Sequence, residues 1–232
     1  RTVANGGLIQ NTVSHGGITV PADFVITNDS TCATVTGSYT WGFKTYSATA
    51  GTLVGRILVP SLTTATAVVP TVCIGNAAVS TYQGGAVGAE FDTNVKGAWD
   101  FPDGTTLSAA DSSSSANNGT LTNTPTASAG HVGGGAATFA AASSQFDAIA
   151  GNPAALQITG SMTWEGWFNP ATLTASMTGQ VLIGKDDAVG TRGPFVYVYN
   201  NSTNTELYAD VFVTSAPTTE NIFNDSTSLS AS

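Results

Sequence analysis

The sequence predicts an all-β protein built as antiparallel sandwich or jelly-roll layers. Three observations carry that expectation. Short β-branched and aromatic runs recur between Gly, Pro, Asn and Ser turn signals, the pattern of sandwiches. No stretch of ten residues shows 3.6-residue hydrophobic periodicity. Only 9% of the chain is Asp, Glu, Lys or Arg, against roughly 25% in an ordinary domain, so the best exposed helix formers are scarce. The 232 residues and 41% hydrophobic content leave room for two modest domains with real cores. Six basic residues face fifteen acidic ones, a net charge of −9. That balance excludes a nucleic-acid binder, which needs a basic stripe, and argues against docking on anionic lipid.

The elements follow in order. Residues 1–97 read as short strands broken by turns. Thr40–Tyr46 alternates, with Trp41 and Phe43 on one face. After an Ala50-Gly51 turn comes Leu53–Val59, stopped by Pro60. Ala67–Ile74 contains Pro70, which lacks the ladder N–H, so it is two short strands or an edge strand with a break. Gly75-Asn76 turns the chain. Asn94–Phe101 is the next strand expected. The polar stretch Ser108–Gly135 reads as linker or ordered loop, since its hydroxyl and amide residues form turns. Further strands are expected at Ala136–Ala140, Phe146–Ile149, Met162–Phe168, Gln180–Gly184, Phe195–Tyr199 and Leu207–Val213. Asn152–Gln157 suits one helical turn, with Asn152 as N-cap and Pro153 at the first helical position.

No apolar run approaches the ~20 residues that span a bilayer, and no signal peptide opens the chain. Cys32 and Cys73 permit one disulfide, but sequence does not show their separation; a buried thiol at Cys73 is the alternative. Their spacing fits neither a CxxC motif nor a zinc site. Sequons at Asn28, Asn118, Asn200, Asn201 and Asn224 are what chance produces in so Ser-, Thr- and Asn-rich a chain.

Two stretches carry a family resemblance. Gly97–Phe101, Asp111–Thr120, Gly134–Phe139, Ser161–Pro170 and Val181–Asp186 stand in an order that resembles the opening strands of the laminin-G-like, concanavalin A-like jelly roll of secreted and virion proteins. Pro21–Thr27, Gly51–Pro60 and Cys73–Asn76 resemble the uncharacterised β-sandwich domain that often precedes such jelly rolls in bacterial, archaeal and phage surface proteins. The resemblance implies two tandem domains, residues 1–95 and 96–232. The jelly roll's Trp-His strand and Tyr-Val-Asp-Gly hairpin do not appear before Ser232, and Pro21–Thr27 normally lies well inside its domain. Both domains are therefore expected to be incomplete here, the chain being a piece of a longer product or being completed by other segments or copies. Open strand edges would otherwise invite aggregation.

Chemistry is sparsely signalled. Glycoside hydrolysis usually needs two carboxylates about 5–10 Å apart, and strand Trp164–Trp167 offers Glu165 with no partner. His15 and His131 sit in glycine-rich loops without a nucleophile elbow and read as exposed turn residues. Gly133–Gly135 lacks the Lys-Ser/Thr of a phosphate loop. Calcium prefers several oxygen ligands, and Asp100, Asp103, Asp111, Asn117 and Asn118 cluster in one loop region. Asp103, Asp111 and Asn118 form the calcium candidate, against the simpler reading that Asp111 and Asn118 bond their own turns; Asp186 and Asp187 are a second acidic pair. Aromatic platforms for carbohydrate are Trp99, Trp164, Trp167, Tyr197, Tyr199 and Tyr208. In an extended Met162–Phe168, Met162, Trp164 and Phe168 take one face and Thr163, Glu165 and Trp167 the other. The row Phe195, Tyr197, Tyr199 suits a sheet core better than a platform.

The expected function is adhesion or glycan binding without catalysis, in an extracellular, cell-surface or virion protein. The rival is a structural subunit or decoration of a filament, tail or capsid. A non-catalytic accessory module of a polysaccharide-degrading enzyme is a third reading. Expected partners are a glycan or cell-surface polysaccharide and other copies or segments of the parent protein.

Overall fold

A computed structural model describes residues 9–33, 39–65, 67–101, 106–131, 135–158, 160–171, 180–186, 192–200, 205–212 and 220–224. The protein is all-β, and every strand pairing is antiparallel. It divides into two compact units, Arg1–Met162 and Thr163–Ser232. The boundary expected at residues 95/96 lies inside the first unit, where the Arg56–Asp100 ion pair crosses it.

The first unit opens with a hairpin of β1 (Thr12–His15) and β2 (Ile18–Pro21). Its turn is Gly16-Gly17, both at positive φ, the requirement of a type I′ hairpin that glycine meets without steric cost. Strand β3 (Val25–Thr27) pairs with β6 (Thr71–Cys73), which begins directly after Pro70 as the missing N–H dictates. Between them in sequence lies the hairpin of β4 (Thr40–Ser47) and β5 (Thr52–Leu58). Gly51 in its turn takes φ +65°.

The core gathers Phe24, Val25, Ile26, Trp41 and Val79, with Phe43, Ile57, Cys73 and Tyr82 packed against it. Trp41 is 1% exposed, and Phe43 meets Phe24 edge-to-face at 5.1 Å, so the face assigned to Trp41 and Phe43 is the buried one. A disulfide joins Cys32 to Cys73, with Cα atoms 5.8 Å apart. It ties the loop after β3 back to β6.

Beyond residue 95, the strand expected at Asn94–Phe101 reduces to a bridge between Trp99 and Asp111. Asp92 accepts the Asn94 N–H at 2.6 Å and so starts a turn where alternation suggested a strand. Ser108–Gly135 is ordered in its described part and carries β7 (Thr120–Thr122) and β8 (Thr126–Ala129). Strand β8 pairs with β9 (Gly135–Thr138), and β7 with β10 (Phe146–Ala148). The expected helical turn is a 3-10 turn over Ala154–Leu156, with Pro153 at the N-cap position and Asn152 at φ +47°.

The second unit is a four-stranded meander: β11 (Gln180–Asp186), β12 (Arg192–Asn200), β13 (Thr205–Phe212) and β14 (Glu220–Asn224). Three of these were expected; β14, with Glu220 and two Asn, lacks the apolar alternation that marks a strand. Met162–Phe168 forms no strand. Its alternation is real, but no strand supplies it a ladder among the described residues.

Candidate functional site

The loop expected to hold calcium is held by hydrogen bonds around one carboxylate. Asp111 is buried, 6% exposed. Its Oδ1 accepts the N–H groups of Ala98 and Ser113, each at 2.8 Å. Its Oδ2 accepts the Asn117 N–H at 2.7 Å and the Ser113 hydroxyl at 2.9 Å. Asn118 is brought to the same place but turns its Oδ1 to the Asp111 N–H at 2.9 Å. Asn117 donates its amide to the Lys96 carbonyl, and the Trp99 indole N–H donates to the Asn117 carbonyl. A carboxylate offers about four lone-pair positions, and four donors occupy those of Asp111. Asp103 lies outside the described residues, as does Asp187. No three His, Cys, Asp or Glu side chains converge on a metal position among the described residues. The arrangement pins residues 96–98 to residues 111–118 as an Asx-centred knot.

A second cluster escaped the sequence reading. Arg56, on β5, clasps both carboxylate oxygens of Asp100, with Nη1 2.8 Å from Oδ2. Its guanidinium sits 5.0 Å from the centre of the Phe91 ring. Nearby, the half-buried Glu90 lays its carboxyl against Gly42, where any Cβ would stand 2.1 Å from Oε1. Burial raises the Glu90 pKa, its own and the Gly88 backbone N–H groups and Arg56 pull it down, and Asp100 adds to the rise. Tyr82 donates its hydroxyl to the Trp41 carbonyl at 2.5 Å. Burial, then the Glu90 charge, keeps that phenol protonated well beyond its usual range. His15 is not an exposed turn residue: it ends β1, stacks on Tyr82 at 3.9 Å, and burial lowers its pKa. His131 is exposed, as expected. The only cation within Leu53–Val59 was the available signal for this cluster; its partner, forty-four residues on, was not. With both Asp100 oxygens engaged, the cluster works as a clamp between β5 and the segment around residue 100.

The aromatic platforms separate cleanly. Trp99 is half-buried and tied through its indole N–H. Trp164 and Tyr197 are half-buried, and the side chains of Tyr199 and Tyr208 lie outside the described residues. Trp167 is 73% exposed. It stands in the irregular stretch of residues 163–170, between exposed Glu165 and Asn169. The ring of Phe168 folds back over Gly166, where a Cβ would lie 2.9 Å from it.

No family model, curated protein or solved structure matches the chain. The geometry of these residues therefore carries the functional reading.

Proposed function

We propose that this protein is a non-catalytic surface protein, extracellular, cell-surface or virion-borne, that binds glycan through Trp167, with the second unit part of a laminin-G-like jelly roll. The exposed indole of Trp167 is the observation that carries the reading. An indole combines a broad apolar face with a polar edge, and Glu165 and Asn169 stand two residues to either side of it in the sequence. The Cys32–Cys73 bridge supports an oxidising compartment, where such bonds persist. The test is binding to a panel of immobilised polysaccharides by the native chain and by Trp167→Ala and Trp164→Ala variants. Binding that falls at least about tenfold, 1.4 kcal/mol, only in Trp167→Ala supports the proposal. Equal binding by all three, or none to any polysaccharide, rejects it.

The structural-subunit reading has its own observation: Phe168 and Val181 are 51% and 60% exposed in the same unit, as contacts between copies would require. Concentration-dependent assembly in light scattering, abolished by Val181→Ser, would favour that reading.

A further inference from the structure

We infer that Asp147 is a proton-operated catch on the β7–β10 pair, which holds firmly while its carboxyl carries a proton and loosens when the carboxyl ionises. The two strands meet in only three residue pairs, and Asp147, opposite Leu121, is the middle one. Its carboxyl lies over Gly119, the residue before β7, in space that any Cβ there would occupy. The side chain is half-buried, but Oδ1 is wholly buried, and no hydrogen-bond donor among the described residues reaches it. The Gly119 N–H is spoken for, since it donates to the Ala109 carbonyl at 2.8 Å. Asp23 and Asp111, by contrast, each accept from three backbone N–H groups. A buried carboxyl oxygen without a donor is far costlier as part of an anion than as part of a neutral acid.

No cation offsets that charge. Strand β7 is Thr120–Thr122, and the other residues of β10 are Phe146 and Ala148, so neither strand holds a second ionisable side chain. Among the described residues no charged group, Asp111 included, acts on Asp147. Burial raises its pKa, and the backbone groups of Thr120 and Ala148, which face each other across the ladder, pull it down by less. A folded-state pKa above the unfolded value gives stabilisation that is full below the ordinary carboxylate range and is lost as pH rises through the raised value. The β7–β10 pair is therefore firmest in acid and looser at neutral pH. A ladder of three pairs belongs to the low-stability end of a structure, where opening is local, so a single carboxyl can govern it.

The experiment is amide hydrogen exchange at β7 and β10 in the full chain and in Asp147→Asn, from about pH 4 to neutrality, together with a carboxyl-carbon NMR titration of native Asp147. Dividing native protection by that of the variant at each pH cancels the intrinsic exchange rate and every other carboxylate. That ratio should fall at least about threefold toward neutral pH, and Asp147→Ala should give the same trend. The NMR midpoint of Asp147 should lie above the ordinary Asp range. A ratio that is flat or rises with pH overturns the inference, as does a midpoint at or below the ordinary range. The midpoint is read on the native chain, so it decides the matter even where a variant fails to fold.

Discussion

Replacing Asp111 by Asn changes one oxygen of the buried carboxylate to an amide nitrogen and removes the charge. The Oδ1 position can still accept from the Ala98 and Ser113 N–H groups. The other position becomes a donor facing the Asn117 N–H, 2.7 Å from the atom it replaces. The Ser113 hydroxyl can rotate to accept, but a backbone N–H cannot. One buried donor is therefore orphaned, and the remaining bonds lose their charge assistance, a combined cost of about 2–4 kcal/mol. Asp111→Ala strips all four bonds and should cost about 4–5 kcal/mol, near the upper end for a single substitution.

The two units make a single global unfolding curve a poor readout, so the assay is amide hydrogen exchange at Ala98, Ser113 and Asn117. At 1.4 kcal/mol per factor of ten, a loss near 3 kcal/mol lowers protection about a hundredfold, for amides that exchange through local opening. A chelator should leave exchange in the native protein unchanged, because N–H and O–H donors already fill the carboxylate. Protection that survives Asp111→Asn, or that collapses in the native protein on chelation, would refute the knot; the second outcome would make Asp111 a calcium ligand.

Three further outcomes are expected. Reducing the Cys32–Cys73 bridge frees a sequence separation of 41, and the loop-closure relation puts the loss at about 4 kcal/mol; the melting temperature of the first unit should fall by roughly 10 °C, and a shift under a couple of degrees would contradict this. Glu90→Gln should stabilise the protein at neutral pH, because the folded-state pKa of Glu90 is raised mainly by burial. Its favourable contribution is full below the ordinary carboxylate range and lost as pH rises through the raised value, so the gain should shrink on acidification; a variant less stable at neutral pH argues against it. Gly88→Ala places a Cβ 2.4 Å from the Ser114 nitrogen at φ +83°, so it should destabilise the first unit, and unchanged thermal unfolding would count against this packing.

The strands legible in the sequence are those whose partners lie close along the chain. The β4–β5 hairpin announces itself through the alternation around Trp41 and Phe43 and the Ala50-Gly51 turn, and Pro70 fixes where β6 begins. Met162–Phe168 has alternation of the same quality and forms no strand, because a ladder needs a second chain segment and periodicity does not provide one. The Arg56–Asp100 clamp and the disulfide depend on separations of 44 and 41 residues. The residue types were visible; the distances were not. At the loop near Asp111 the residue types announce oxygen-bearing side chains, and what sequence withholds is that Asp111 accepts mainly from backbone N–H groups of this same chain.

A buried carboxylate that gathers backbone N–H groups occurs twice in the first unit. Many strands here are only three or four residues long, β3, β6, β7 and β10 among them, so the ladders satisfy few backbone groups and the connecting segments leave many N–H groups to be met otherwise. Two buried carboxylates meet some of them. Asp23, 1% exposed, accepts from the N–H groups of Gln10, Asn11 and Gly75, drawing the start of the chain and the turn after β6 onto the turn between β2 and β3. Asp111 does the same for Ala98, Ser113 and Asn117. A carboxylate suits this task because it only accepts and takes several donors at once. Side-chain donors meet unpaired carbonyls in the same way: Lys96 donates to the Thr93 carbonyl, and the Asn11 amide to those of Ala77 and Val79. Two of the fifteen acidic residues, Asp23 and Asp111, thus act as internal acceptors in a fold of very short strands.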